Sequence, residues 1–211
     1  MNHPIVVAIT GASGAAFGCR LIEVLLSAKR EVLFTISPSG CAVMRQELQQ
    51  TIDPDQMMPA NLFATRPAWW RPLPQRIESH DLIKWYRYND FMTPIASGSF
   101  LTGGMVICPC SGGTLSGIAH AASNNLIVRA ADVHLKERRK LIVVPRETPL
   151  SSLQLENMLR VTNAGGVVLP AMPGWYHEVH SPMDLVDFVV GRILDQLGIV
   201  QQLSRRWGTD K

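Results

Sequence analysis

Residues 104–121 read GMVICPCSGGTLSGIAHA, and this stretch decides the fold. Met105, Val106, Ile107 and Cys108 form an unbroken apolar run, the pattern of a strand covered on both faces in a parallel sheet, because a half-exposed strand would alternate. Pro109 is expected to end it. Ser111, Gly112, Gly113 and Thr114 come next, and Leu115, Ile118, Ala119 and Ala122 then recur with helical spacing. Free backbone N–H groups and two hydroxyls therefore collect at a helix start, where an anion is stabilised. A plainly capped helix in a strand-to-helix turn has the same composition. The stretch alone leaves both readings open.

The same alternation runs outward in both directions. Residues 5–10 are another continuous apolar run, and Gly11-Ala12-Ser13-Gly14 turns it into a helix carrying Leu21, Ile22, Leu25 and Leu26. Residues 32–36 read as a second strand that stops at Ser37-Pro38-Ser39-Gly40, followed by a helix through Val43, Met44, Glu47 and Leu48. That completes one βαβ unit. Downstream, the spacing predicts a helix over 124–138, a strand over 141–144 ending at Pro145-Arg146-Glu147, a helix over 151–161 and a strand over 166–169. A loop over 170–177 with Trp175 and Tyr176 then leads to an amphipathic helix over 181–197. Residues 82–88 can add a strand. The class is α/β, and Arg146 and Glu147 fall beyond a strand's carboxyl end, where open parallel sheets keep their ligands. Arg129 and Lys136 sit seven residues apart, two helical turns, so both can share one face.

At 211 residues the chain can bury a full core, and nothing marks an internal boundary, so a single domain over 1–211 is expected. The exceptions are an irregular proline-rich insertion over 51–81, with Trp69-Trp70, and a C-terminal arm over 199–211. Net charge is +3, with Arg129, Lys136, Arg138, Arg139, Lys140 and Arg146 crowded into one segment. Glu137 and Glu147 interrupt this cluster and no aromatic residues interleave, so a small anionic ligand is a better reading than nucleic acid, and a solvated helix face is the plain alternative. Cys19, Cys41, Cys108 and Cys110 show no C-x-x-C pairing, which fits reduced thiols. No charged leader, cleavage pattern or membrane-length apolar run is present. A cytoplasmic protein is expected.

Several familiar chemistries are disfavoured. Gly11-Ala12-Ser13-Gly14 places serine where the dinucleotide fingerprint needs its second glycine, and the second strand ends in Ser37-Pro38 where an acidic residue would hold a ribose. That argues against NAD and permits a mononucleotide, while a glycine turn used only for packing remains the alternative. Asp53-Pro54-Asp55 has the form of a magnesium pair but the surroundings of a turn. His177-Glu178-Val179-His180 has histidines three apart, not the four a helical zinc site requires. Neither a nucleophile elbow nor a triad order is evident. Ser13, Ser37, Ser111, Thr114 and Arg146 remain at predicted strand ends, with Arg129 and Lys136 on a helix and Glu47, Glu147 and Tyr176 as proton-handling candidates. Such a set suits a phosphorylated aromatic ligand and a second phosphate. The loop Pro94-Ile95-Ala96-Ser97-Gly98-Ser99 is small enough for a flat ring to approach its backbone.

Eight ordered motifs carry a family resemblance: GASGA, ASGS, ICPCS-x-G-T-L, NNLI-x-RAADV-x-LKERR, VPRE-x-P-x-S, LENML, LP-x-x-PG-x-YH and DLVDFVV-x-R-I-L. Together they resemble the UbiX-type flavin prenyltransferases over most of residues 5–199, with 51–82 matching poorly. The resemblance implies a Rossmann-like three-layer αβα subunit, a mostly parallel sheet in the order 3-2-1-4-5-6, and a homododecamer with FMN at subunit contacts. It implies metal-independent transfer of a dimethylallyl group from dimethylallyl phosphate to N5 and C6 of reduced FMN, giving prenylated FMN for a UbiD-type decarboxylase. Matched position by position, Gly11, Ala12, Ser13, Ser37, Ser111, Gly112, Gly113, Thr114 and Arg146 fall on flavin contacts. Arg129, Lys136, Glu147, Tyr176 and Arg192 fall around the prenyl phosphate, and Glu47 on the acidic residue that handles protons on the flavin. Some of these act across subunits in such an assembly. Ser13, Glu47, Lys136, Glu147 and Tyr176 are the expected catalytic set. FMN-dependent cysteine decarboxylases share the subunit architecture, but the asparagine of their PASANT-like loop is missing from Pro94-Ile95-Ala96-Ser97-Gly98-Ser99. A non-catalytic flavin carrier is a further rival, against which Glu47, Lys136, Tyr176 and Arg192 speak.

Overall fold

The computed structural model describes residues 3–53, 55–56, 59–73, 81–176 and 178–203. Six strands form one sheet: β1 (Ile5–Ile9), β2 (Val32–Ile36), β3 (Ile83–Trp85), β4 (Gly104–Cys110), β5 (Leu141–Pro145) and β6 (Val167–Val168). Their order is β3-β2-β1-β4-β5-β6, and every pairing is parallel. Helices α1 (Ala15–Ser27), α2 (Pro38–Leu48), α3 (Gly112–Ala119), α4 (Leu126–Lys136), α5 (Ser152–Asn163) and α6 (Pro182–Leu197) cover it. The Rossmann-like order expected from the family resemblance is the one observed. The chain winds outward from β1 in one direction and from β4 in the other, so the loops after these two strands part over a crevice.

Alternate residues of the central strands build the two faces of the core. Ile5, Val7 and Ile9 pack with Leu21, Ile22 and Leu25 of α1 and with Val189, Val190 and Ile193 of α6. Val6 and Ala8 pack on the other face with Met105 and Ile107, and with Leu115 of α3 and Leu126 and Ile127 of α4. Continuous burial on both sides is why these strands carry no polar alternation.

The structure corrects one local expectation. Pro109 does not end β4, which continues to Cys110. The ladder to β5 shifts register between Ile107 and Cys110, and this irregularity accommodates a residue with no N–H to donate. The Thr10 hydroxyl donates to the Pro109 carbonyl at 2.8 Å, securing the strand end from β1. Other elements are shorter than their spacing indicates: β3 spans only three residues of 82–88, and Asn125 caps α4 by accepting the Val128 N–H at 3.0 Å.

The insertion is tied down by a buried ionic network. Arg20, 2% exposed, donates Nε–H to Asp187 at 2.7 Å and an Nη1–H to Glu23 at 2.6 Å. The same Nη1 reaches the Arg71 carbonyl at 3.1 Å, while the Arg71 guanidinium bonds Asp184 at 2.9 Å and Asp187 at 3.1 Å. Burial pushes the Asp184 carboxyl up, but the His180 N–H, the Ser181 hydroxyl, Arg71 and the Ser181 N–H outweigh it and bring it down to about 2. Trp70 folds back against the core whereas Trp69 stays partly exposed, and Arg66 lies over the Trp70 ring at 4.7 Å. Within this segment Asp53 accepts the Asp55 N–H at 2.8 Å, a turn contact; Pro54 lies outside the described residues.

All four cysteines are free and buried, and burial pushes the Cys19 and Cys110 thiols up to about 12 and Cys41 to about 11. Among the described residues no helix is long and apolar enough to cross a membrane, and no group of three His, Cys, Asp or Glu side chains could hold a metal. His177 and the arm residues from Ser204 onward lie outside the described residues.

Candidate functional site

At the carboxyl edge of the sheet, four loops meet over the crevice between β1 and β4. Gly11 follows β1, and a Cβ built there would stand 2.5 Å from the Ser39 Cβ, so only glycine lets this loop close on the first turn of α2. Ser37 caps α2 by accepting the Gly40 N–H at 3.0 Å. Ser111 caps α3 by accepting the Thr114 N–H at 3.4 Å, and its Oγ lies 3.1 Å from the Thr114 hydroxyl. Thr10 binds the two central loops together, accepting the Ser111 N–H at 2.8 Å while donating to Pro109. From β5, the Arg146 Nε donates to the Ser13 carbonyl at 3.3 Å.

The first N–H groups of α3 have no acceptor within the helix. Gly113 is open to solvent, with no heavy atom within 4 Å of where a Cβ would stand. Hydroxyls and helix-end N–H groups thus converge as an anion cradle at α3, with the capped start of α2 beside it. The turn after β1 behaves differently. Glu47 reaches from α2 and its carboxylate accepts the N–H of Gly14 at 2.9 and 3.1 Å and of Ala15 at 2.9 Å. The start of α1 therefore already holds an anion of the chain's own. Those two N–H groups are thus not open to a ligand's phosphate.

Glu147 is exposed beside Arg146, and Gln154 donates to its Oε2 at 3.3 Å while accepting the Ser151 N–H at 2.9 Å. Gly112 lies against the same glutamine: a Cβ there would be 3.2 Å from Nε2. Below this rim, Pro145, Arg146, Glu147, Met158, Pro170 and Met172 are among the residues lining a cavity of about 60 Å³. Sequence reasoning did not single out Thr10 or Gln154. The capping-box spacing of Ser151 and Gln154 was the available signal.

The remaining candidates lie elsewhere. Arg129 is exposed on α4, its guanidinium carbon 5.9 Å from the Phe91 ring centre. Lys136 is the last residue of α4 and pairs with Glu137 at 2.9 Å. Because α4 leads into the start of β5 whereas Arg146 follows its end, a strand of five residues, about 16 Å long, lies between the two ends. That exceeds the reach of a lysine side chain. Tyr176 packs edge-on against Phe188 of α6 at 5.8 Å, and Arg192, one turn further along, pairs with Asp195 at 2.9 Å. One subunit thus brings together Gly11, Ala12, Ser13, Ser37, Glu47, Ser111, Gly112, Gly113, Thr114, Arg146 and Glu147. Lys136 lies apart from them at the end of α4, Arg129 is on the first turn of that helix, Tyr176 precedes α6 and Arg192 lies within it.

An all-parallel sheet with an anion cradle at its switch point defines a Rossmann-like α/β protein. A family model described as Flavoprotein matches residues 1–194. The chain is 50% identical over 204 residues to the flavin prenyltransferase UbiX of Pseudomonas aeruginosa, an alignment covering 97% of this chain and 93% of that protein. The crystal structure of AnUbiX (PadA1) in complex with FMN and dimethylallyl pyrophosphate superposes with a TM-score of 0.83 at 36% identity, covering 100% of both chains. A dodecameric FMN-dependent UbiX-like decarboxylase from Escherichia coli O157:H7 superposes at 0.80 with 35% identity, covering 97% of this chain and 98% of that one. The chain belongs to the UbiX-like flavoprotein family.

Proposed function

We propose that this chain is a flavin prenyltransferase that moves a dimethylallyl group from dimethylallyl phosphate to N5 and C6 of reduced FMN, releasing phosphate and prenylated FMN. The observation that carries the reading is the division of the candidate residues: an uncharged cradle of hydroxyls and N–H groups at Ser111–Thr114, and cations at Arg129 and Lys136 on another element. Two phosphates need two such places. Likeness to a flavin prenyltransferase at 50% identity supports the assignment.

The cradle fits FMN. Ser111, Gly112, Gly113 and Thr114 would hold its phosphate, Ser37 would assist from α2, and Gly11, Ala12, Ser13 and Arg146 would border the ring. Bound in its reduced form, FMN supplies the electron-rich ring that takes up the prenyl carbons. Arg129, Lys136, Tyr176 and Arg192 would surround the donor phosphate together with Glu147. Fixed cations there stabilise the anion that departs as the allylic carbon–oxygen bond breaks, and most effectively where water is excluded. Closing the ring at C6 releases a proton, which Glu47 or the departing phosphate would accept. No step calls for a metal.

Since the length of β5 lies between the Lys136 end of α4 and Arg146, a site drawn from more than one copy of the chain is part of the proposal, and a homododecamer like that of the solved relative is the proposed assembly. The product is proposed to serve a separate UbiD-type decarboxylase. Four buried free thiols suit the cytoplasm as the place of action. Anaerobic incubation of the protein with reduced FMN and dimethylallyl phosphate, then mass analysis of the extracted flavin, tests the proposal. A flavin heavier by one five-carbon unit is expected; an unaltered flavin overturns it.

A further inference from the structure

Arg139 lies three residues beyond α4 with its side chain 14% exposed. Its Nη1–H donates to the Phe100 carbonyl at 2.6 Å, and its Nη2–H to the Gly98 carbonyl. Two parallel donors on carbonyls two residues apart fix both the position and the tilt of the turn over 97–100, which a single ammonium could not do. Within that turn the Ser97 and Ser99 hydroxyl oxygens lie 2.9 Å apart. The turn is pressed against the end of α4: a Cβ built on Gly98 would collide with the Glu137 carboxylate and stand 3.1 Å from Lys136 Nζ. Glu137 in turn sits between two cations, 2.9 Å from Lys136 and 3.9 Å from Arg139.

We infer that Arg139 is a positioning residue: its hold on the Gly98 and Phe100 carbonyls keeps the 97–100 turn against α4 and so sets where Lys136 presents its ammonium to the donor phosphate. This rests on the assignment of Lys136 proposed above. A phosphate arriving at Lys136 competes with Glu137, which keeps Arg139 as its second partner. Releasing the turn lets Lys136 and Glu137 move together, and the donor loses a fixed cation while the cradle at α3, on the opposite edge of the sheet, is untouched.

The assembled protein tests this with Arg139→Met, which removes both donors, and Arg139→Lys, which can hold one carbonyl at a time. Arg139→Met is expected to raise KM for dimethylallyl phosphate about tenfold or more with kcat within about threefold and FMN affinity within about twofold, and Arg139→Lys to fall between it and the parent. Should Arg139→Met fail to assemble, Gly98→Ala disturbs the same contact from the loop side and is expected to raise the donor KM by a larger factor than it weakens FMN binding. A donor KM unchanged in Arg139→Lys and Gly98→Ala, or an FMN affinity that falls by the same factor as the donor's, overturns the inference. Were the parent protein to yield no prenylated flavin, the proposed function would fall by itself. Calorimetric titration with inorganic phosphate then decides: weaker binding to Arg139→Met upholds the positioning role, and equal binding overturns it.

Discussion

The Glu47 carboxylate closes the start of α1, accepting the Gly14 N–H at 2.9 and 3.1 Å and the Ala15 N–H at 2.9 Å across more than thirty residues of chain. A carboxylate is well placed at a helix N-terminus, where unpaired donors and the peptide dipoles both favour negative charge. The proton-handling role proposed for the same side chain can be separated from this structural one by substitution.

Glu47→Gln keeps one acceptor oxygen for α1 but cannot take up a proton. It is expected to cost about 1 kcal/mol in urea unfolding, to retain FMN, and to lower turnover by about a hundredfold. Unchanged turnover would leave Glu47 with the helix cap alone.

Placing Lys136 and Arg146 at opposite edges of β5 makes a complementation test possible. Arg146→Ala and Lys136→Ala homo-oligomers are each expected to be nearly inactive. Dissociated and reassembled together in equal amounts, they should regain roughly a quarter of parental activity, since about one pairing in four joins two intact surfaces. No recovery in verified mixed oligomers would place both residues in one chain's site.

Arg20 and Asp187 form an ion pair at 2.7 Å with side chains 2% and 3% exposed. Removing one partner strands a buried charge, so Asp187→Ala is expected to lose about 3–5 kcal/mol of stability. Replacing both with apolar residues of similar volume should restore most of it in denaturant melts. FMN binding should change less than stability does.

His134 is buried, with Nδ1 2.7 Å from the Ala130 carbonyl and Nε2 2.8 Å from the Thr102 hydroxyl. The carbonyl can only accept, so Nδ1 carries the proton and Nε2 accepts from Thr102. Burial brings the imidazole down from 6.5 to about 4, the Ala130 carbonyl opposing and Arg139 assisting. The unfolded chain therefore takes up this proton at higher pH than the folded one. Its contribution is intact above pH 6.5 and is lost as the pH falls toward 4, by about 3 kcal/mol in all. His134→Gln should flatten stability across that window, read as the difference between parent and variant melts.

The sheet was legible because burial on both faces writes continuous apolar runs into β1, β2, β4 and β5, and helical spacing separates them. Ser111 announced its helix through the ordinary chemistry of capping, and Arg146 announced a ligand-side position through its place after a strand. Motif resemblance supplied the flavin and the prenyl donor, which spacing alone left at a phosphorylated aromatic ligand. Pro109 misled because the proline rule is local, whereas a shifted ladder and a hydroxyl from β1 carry the strand past it. Only the folded chain decided that Glu47 fills the start of α1, that Arg20 meets Asp187 under the insertion, and that Arg139 grips the 97–100 turn. These contacts join residues 33, 167 and 41 positions apart. Nothing in local propensity encodes such pairs, because they exist only after the elements have packed. The division of the cations from the cradle is likewise a property of topology: a helix that returns its chain to the start of a strand carries its last residue to the opposite edge of the sheet.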